Sequence, residues 1–179
     1  MDDVKDRAIL LRKTRYSDTS LIVAWFTREH GLVKTMAKGA LRPKSPFKGT
    51  LDLFFGAEIV YAHSRKSELH HLKEVHVNNP RLDLRKSYEA TLVAAYFVKL
   101  VDSAVEAEAP VEGVFDLLGR ALDHLADTPP AKSTILHFEK RLAGELGILS
   151  PDRSALQALE DQGHRLPPER GKLLTRFGD

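Results

Sequence analysis

The chain has 179 residues, a formal net charge of +2 and no cysteine. The missing thiols exclude disulfides, thiolate zinc sites and cysteine nucleophiles, and fit a cytoplasmic protein. The acidic opening Met1-Asp2-Asp3 and the lack of an apolar run of about 20 residues lead us to expect neither a signal peptide nor a membrane span.

The first half reads as strands. Runs rich in Ile, Leu, Val, Trp and Phe occupy residues 6–13 and 19–27, with turn chemistry at Tyr16-Ser17-Asp18 between them. A turn at His30-Gly31 leads to a strand over 32–37. Residues 51–62 alternate well enough for one long bent strand with Gly56 at the bend, and 69–77 complete the set. Five strands without an intervening helix predict a small closed sheet: an oligonucleotide-binding (OB) barrel, or an SH3-like barrel of similar periodicity. The fold class expected is α+β, with domains at 1–79 and 80–150 and a short tail at 151–179.

The stretch between the third and fourth strands is the most informative. Lys38, Arg42, Lys44 and Lys48 fall within it, and no acidic residue occurs between Glu29 and Asp52. An unpaired basic loop leaving a strand suits a phosphate backbone, because each cation that meets a phosphate releases a condensed counterion. Its plain alternative is a solvated basic surface. Arg12, Lys13, Arg15 and Lys34 on the neighbouring strands, then Arg65 and Lys66 in the last turn, extend the candidate nucleic-acid-binding set. Trp25 and Phe26 point in opposite directions on one strand, so one is expected in the core, Phe26 by preference, and the other against a groove.

The second half reads as helices. Asn78-Asn79-Pro80 breaks the last strand. Helical periodicity follows over 87–106 (Leu92, Ala95, Tyr96, the stem of Lys99, Leu100, Val101), 111–126 (Val114, Phe115, Leu118, Leu122, Leu125) and 131–146 (Ile135, Phe138, Leu142, Leu146). These stripes describe a bundle core rather than a cofactor pocket. A short helix capped by Ser154 is expected, then a polar loop or loosely docked tail from Gly163. Charge divides likewise. Residues 1–87 hold 17 Lys and Arg against 10 Asp and Glu, whereas residues 88–179 hold 10 against 15. The first half is suited to a polyanion and the second to something else.

No phosphate-binding loop, dinucleotide fingerprint, His-Glu-x-x-His or Gly-x-Ser-x-Gly motif occurs. His63, His70, His71 and His76 read as surface histidines, since neighbours on a strand point apart. Glu106, Glu108 and Glu112 read as a solvated helix junction. The expectation is therefore no catalytic residue, no cofactor, no metal and no small-molecule substrate.

Several segments resemble a known family. They are Ala8-Ile9-Leu10-Leu11-Arg12, the stretch from Arg15 to Val23, and Thr27-Arg28-Glu29-His30-Gly31 followed by Ala37-Lys38-Gly39-Ala40-Leu41-Arg42 and Ser45. In the helical half they are Tyr96 to Asp102, Phe115-Asp116-Leu117-Leu118, and Phe138-Glu139-x-Arg141-Leu142 with Leu146-Gly147. In order and spacing, over roughly residues 6–151, they resemble the bacterial RecO family. That resemblance implies an OB barrel followed by a helical domain and a role in recombinational repair without catalytic turnover. It implies binding of single- and double-stranded DNA, strand annealing, contact with the single-stranded-DNA-binding protein, and loading of the RecA recombinase with RecR at the nucleoid. Many members carry a four-cysteine zinc element after the Phe-Glu-x-Arg-Leu helix; residues after Pro151 hold no cysteine, so no such element is expected here. Two other classes stay open on the residues alone. One is an RNA-binding OB protein, since a basic barrel does not distinguish sugars. The other is a protein–protein adaptor acting through its acidic helical half.

Overall fold

The computed structural model describes residues 2–178. The chain folds into two compact units. One holds the residues up to Pro80 together with Glu106–Pro110; the other holds Arg81–Val105 and the residues from Val111 onward.

The first unit is a closed five-stranded barrel of the OB type. Its strands are β1 (Asp3–Arg15), β2 (Leu21–Thr27), β3 (Gly31–Ala37), β4 (Gly56–Ala62) and β5 (Leu69–Asn79), in the order β1-β2-β3-β5-β4. All neighbours are antiparallel except β3 and β5, which pair in parallel from Lys34↔Leu69 to Met36↔His71. β1 is long enough to serve two neighbours because a bulge lies between Leu10 and Arg12. There the Leu10 backbone bonds Phe54 and Phe55 instead, at 3.0 Å each. A bulge bends and twists its strand, which is what closing a small barrel requires.

The barrel core follows the period of two: Ala8 and Leu10, Val23 and Trp25, Val33 and Ala37, Ala57, Ile59 and Tyr61, and Leu72. Trp25 donates its indole N–H to Thr35 Oγ1 at 2.9 Å, so the one polar atom of the ring is satisfied inside. The long fourth strand expected from residue 51 does not form. Asp52 accepts from its own neighbour, Leu53 N, at 2.9 Å, and Phe54 adopts φ 71°. These turn the chain, and Gly56 starts the strand instead of bending it.

Gly31, at φ +67°, opens β3. A Cβ there would meet the Ala109 carbonyl oxygen at 2.4 Å. The segment Glu106–Pro110 therefore lies directly on this turn, and Glu108 N–H donates to Leu32 O at 3.1 Å.

The second unit is a helical bundle. A 3-10 turn (Leu82–Lys86) precedes α1 (Tyr88–Ala104), α2 (Glu112–Asp127), α3 (Lys132–Glu145), α4 (Ala155–Asp161) and α5 (Arg170–Arg176). Ser87 caps α1, accepting from Ala90 N at 3.1 Å, and Ser154 caps α4 as expected. Ile135, Phe138 and Leu142 of α3 are buried, and the Phe97 and Phe138 rings stack 3.8 Å apart. Along α1 the single stripe is too narrow a description. Val93, Ala94 and Phe97 are buried as well, while Lys99 is exposed and pairs with Glu169. On α2, Leu117 is buried and Phe115 only partly so. No helix among the described residues is long and apolar enough to cross a membrane.

The end of the chain is more ordered than its composition predicts. α5 forms, and Leu173 is buried. The Arg170 guanidinium holds the buried Glu139 carboxylate with two hydrogen bonds of 2.7 and 2.8 Å, and Tyr96 Oη donates to the same carboxylate at 2.6 Å. Arg176 pairs with Glu89 at 2.6 Å and lies over the Tyr88 ring.

Candidate nucleic-acid interface

The basic loop between β3 and β4 is a chain of tight turns. Backbone i→i+3 bonds close at Ala40, Arg42, Ser45, Lys48 and Thr50, between 3.0 and 3.3 Å. Phe47 is buried in the barrel core beside Leu51, which anchors the loop from its middle. Burying such a ring contributes about 2–3 kcal/mol, enough to hold a short loop to one surface. Lys38, Arg42, Lys44 and Lys48 remain exposed, and among the described residues none of them has an acidic partner.

A second loop, Tyr16 to Ser20 between β1 and β2, is tied to the first. Leu41 N–H donates to Thr19 O at 2.9 Å, and Gly39 N–H donates to Ser20 Oγ at 3.2 Å. The pairing Leu21↔Ala37 places the two loops side by side.

The strand cations lie at two places. Arg12 and Lys34 both stand opposite Ala24, Arg12 across the β1–β2 pairing and Lys34 across the β2–β3 pairing. Cross-strand partners share a face, so these two cations flank Ala24 on the barrel exterior, roughly 10 Å apart at two strand spacings. Lys13 and Arg15 are engaged within the protein. Lys13 Nζ reaches Leu51 O at 3.1 Å and Asp52 at 3.0 Å, bracing the turn before β4. Arg15 pairs with Asp18 at 3.1 Å and Ser17 O at 3.2 Å. In the β4–β5 turn, Arg65 pairs with Asp2 at 3.2 Å and Lys66 is exposed. The cations brought together without acidic partners are thus those of the loop; Lys13 and Arg15 hold local structure.

The expected division between Trp25 and Phe26 is overturned. Both are fully buried. Among the described Phe, Tyr and Trp residues of the barrel unit the exposed ring is Tyr16, which the turn reading of Tyr16-Ser17-Asp18 overlooks. A large ring between turn residues is the signal that would have found it.

The histidines also need correction. His71 and His76 are exposed, but His70 is only 2% exposed, with its ring stacked between His63 (4.6 Å) and Tyr61 (5.3 Å). Ser64 N–H donates to His70 Nδ1 at 3.1 Å, and Nε2 lies 3.1 Å from Glu108 Oε1. Glu108 is therefore not a free solvated carboxylate. Burial lowers the His70 pKa, against the raising effect of Glu108. Burial, with the charges of Asp6 and Glu108, pushes Tyr61 up to about 12. Donor atoms of His63, His70 and Glu108 lie within 4.8 Å of one another, a spacing open to a metal ion. The hydrogen-bond pattern argues against that use. Accepting from Ser64 at Nδ1 makes Nε2 the protonated nitrogen, which donates to Glu108 and leaves no lone pair for a cation. The trio links Glu106–Pro110 to the barrel wall.

The helical unit holds a cleft of about 590 Å³ between α2 and α3. Its floor includes Phe97 and Phe138, and Arg120, His124, His137 and Arg141 stand around it. An apolar floor with a cationic rim suits a segment carrying both apolar and acidic side chains.

Comparison with known proteins adds the decisive observation. Residues 1–81 match the family described as Recombination protein O N terminal, and residues 85–151 match Recombination protein O C terminal. The chain belongs to the RecO family. Among its relatives are proteins named DNA repair protein RecO from three organisms. The one from Salinibacter ruber is 34% identical over 163 residues, covering 89% of this chain and 63% of the relative. The one from Desulfatibacillum aliphaticivorans is 35% identical over 176 residues, covering 91% and 65%. The one from Coxiella burnetii is 33% identical over 171 residues, covering 93% and 72%. The chain thus spans slightly less than two thirds of the length of the first two of these relatives.

Proposed function

We propose that the protein binds single- and double-stranded DNA through its barrel, anneals complementary single strands, and with RecR helps load RecA onto strands coated by the single-stranded-DNA-binding protein. The observation that carries this reading is the pair of tied loops, which present Lys38, Arg42, Lys44 and Lys48 without acidic partners on an OB barrel of the RecO family. Arg12, Lys34 and Lys66 extend the phosphate track. Lys13, Arg15 and Arg65 join it by exchanging their internal carboxylate partners for phosphates. The role is non-catalytic: a cationic surface holds two strands close while base pairing selects the match. The cleft between α2 and α3, with its cationic rim, supports docking of an anionic partner segment, which we assign to the single-stranded-DNA-binding protein. We place the protein in the cytoplasm, at the nucleoid.

The test is a salt titration of binding to labelled single- and double-stranded DNA, with annealing of complementary oligonucleotides measured in parallel. Changing Lys38, Arg42 and Lys44 together to Ala should weaken binding whatever the sequence. It should also flatten the slope of log affinity against log salt by about 0.7–0.9 for each phosphate no longer neutralised. An unchanged slope in the triple variant removes the loop from the site. Preference for a matched RNA strand over DNA would move the reading to RNA.

A further inference from the structure

We propose that Tyr16 is a base-stacking platform, and that it gives the barrel a preference for unpaired bases over duplex. The inference rests on the reading of the barrel as a DNA binder and names the part of that site which tells single strands from double.

Among the described residues, the large apolar side chains exposed in the barrel unit are Tyr16 (62%) and Leu41 (45%). They are not scattered. Tyr16 starts the loop between β1 and β2, and Leu41 lies in the basic loop whose backbone is bonded to Thr19 and Ser20. Both exposed apolar groups therefore sit on the one pair of tied loops that also presents Lys38, Arg42 and Lys44. The Tyr16 backbone is tied within its loop, with its N–H donating to Ser20 O at 3.0 Å. The ring stands out from a hydrogen-bonded turn and has no aromatic or hydrogen-bonding partner among the described residues.

An exposed ring on a loop tied to one that carries unpaired cations has the two parts that single-strand recognition uses. The cations follow the phosphates, and the ring takes the face of a base. Bases in a duplex already cover one another and offer no free face. Phosphate binding alone does not favour a single strand, because a duplex carries the denser charge. Strand preference must therefore come from a group that meets bases, and the candidates named from sequence, Trp25 and Phe26, are buried. Charge complementarity at the loops selects a polyanion over an apolar protein partner as the occupant.

The experiment measures the affinity of the whole chain for a labelled oligothymidylate and for a blunt duplex of equal length. The proteins are wild type, Tyr16→Ala, Tyr16→Phe, and Lys38→Ala with Arg42→Ala. Tyr16→Ala should lose about tenfold on the single strand, stay within about twofold on the duplex, and keep its salt slope. Tyr16→Phe should bind like wild type, since the ring and not the hydroxyl acts. A Tyr16→Trp variant adds a readout that a merely structural role would not move. Its indole is exposed whereas Trp25 is buried, so new fluorescence should be quenched by the oligothymidylate and not by the duplex. Equal loss on both substrates, or an unquenched indole, overturns the platform. Full affinity in Tyr16→Ala while the Lys38 and Arg42 variant fails overturns the platform alone and leaves the DNA-binding reading intact. A wild-type protein that binds neither substrate overturns both.

Discussion

Removing Arg170 should unseat the end of the chain from the helical bundle. Glu139 is 2% exposed, and its carboxylate takes two hydrogen bonds from Arg170 and one from Tyr96. Arg170→Ala leaves that charge buried with the Tyr96 hydroxyl alone among its described partners. Breaking a buried pair in this way costs about 3–5 kcal/mol. The Arg170 side chain keeps 18% exposure, so water reaches the vacated space and the loss belongs near the lower end, about 3 kcal/mol. For a chain of this size that lowers Tm by roughly 10 °C. Far-UV circular dichroism reads it, because the helices lie in this unit, while Trp25 fluorescence reports the barrel separately. The pattern across variants is a sharper check. Glu139→Leu with Arg170→Leu removes both charges and should recover part of the loss. It leaves Tyr96 without an acceptor, at about 1–3 kcal/mol, which adding Tyr96→Phe should return. If Arg170→Ala costs less than about 1 kcal/mol, the pair behaves as a solvated surface bridge and the reasoning fails.

Gly31→Ala should destabilise the barrel by about 2 kcal/mol or more as an order of magnitude, since left-handed φ and the Ala109 carbonyl oppose any Cβ; urea unfolding followed by Trp25 fluorescence measures it. His70 has a folded pKa below its ordinary 6.5, so the unfolded chain binds the extra proton first and barrel stability should fall as pH drops below about 6.5. His70→Gln should flatten that decline in urea midpoints taken across pH; an equally steep decline would assign it to another group. Added zinc should give no saturable rise in Tm, because His70 has no free lone pair for it. A rise abolished by His63→Ala would show that the metal displaces the Ser64 hydrogen bond.

Most of the barrel is legible in the sequence because its residues obey local rules. Trp25, Val23, Val33 and Ala37 alternate with period two, and the Gly31 turn marks itself. Where reading fails, a distant partner decides. Leu51, Leu53 and Phe55 look like strand, but Lys13, 39 positions before Asp52, braces the chain into a turn. Phe26 and Trp25 cannot be divided between core and groove because β2 is covered on both faces. α5 is short and polar, and its order comes from Glu139, 31 positions away. His70 looks like a surface residue until Glu108, 38 positions later, is placed beside it. The candidate site follows the same division. The cations of the basic loop are readable from composition, whereas the engagement of Lys13 and the exposure of Tyr16 depend on how the chain turns.

The placement of Glu106–Pro110 in the barrel unit has a consequence for how the protein is made. A nascent chain that has reached Pro80 holds all five strands, yet it lacks the segment that covers Gly31, meets Leu32 and accepts from His70. The barrel is completed only after α1 has been synthesised and the next few residues return. Translation order therefore interleaves the two units, so no single cut in the sequence divides them. A gene cut or a fusion joint placed at residue 80 would leave the His70 imidazole without its carboxylate and the Gly31 turn uncovered. One placed beyond Pro110 would keep the barrel whole but divide the helices.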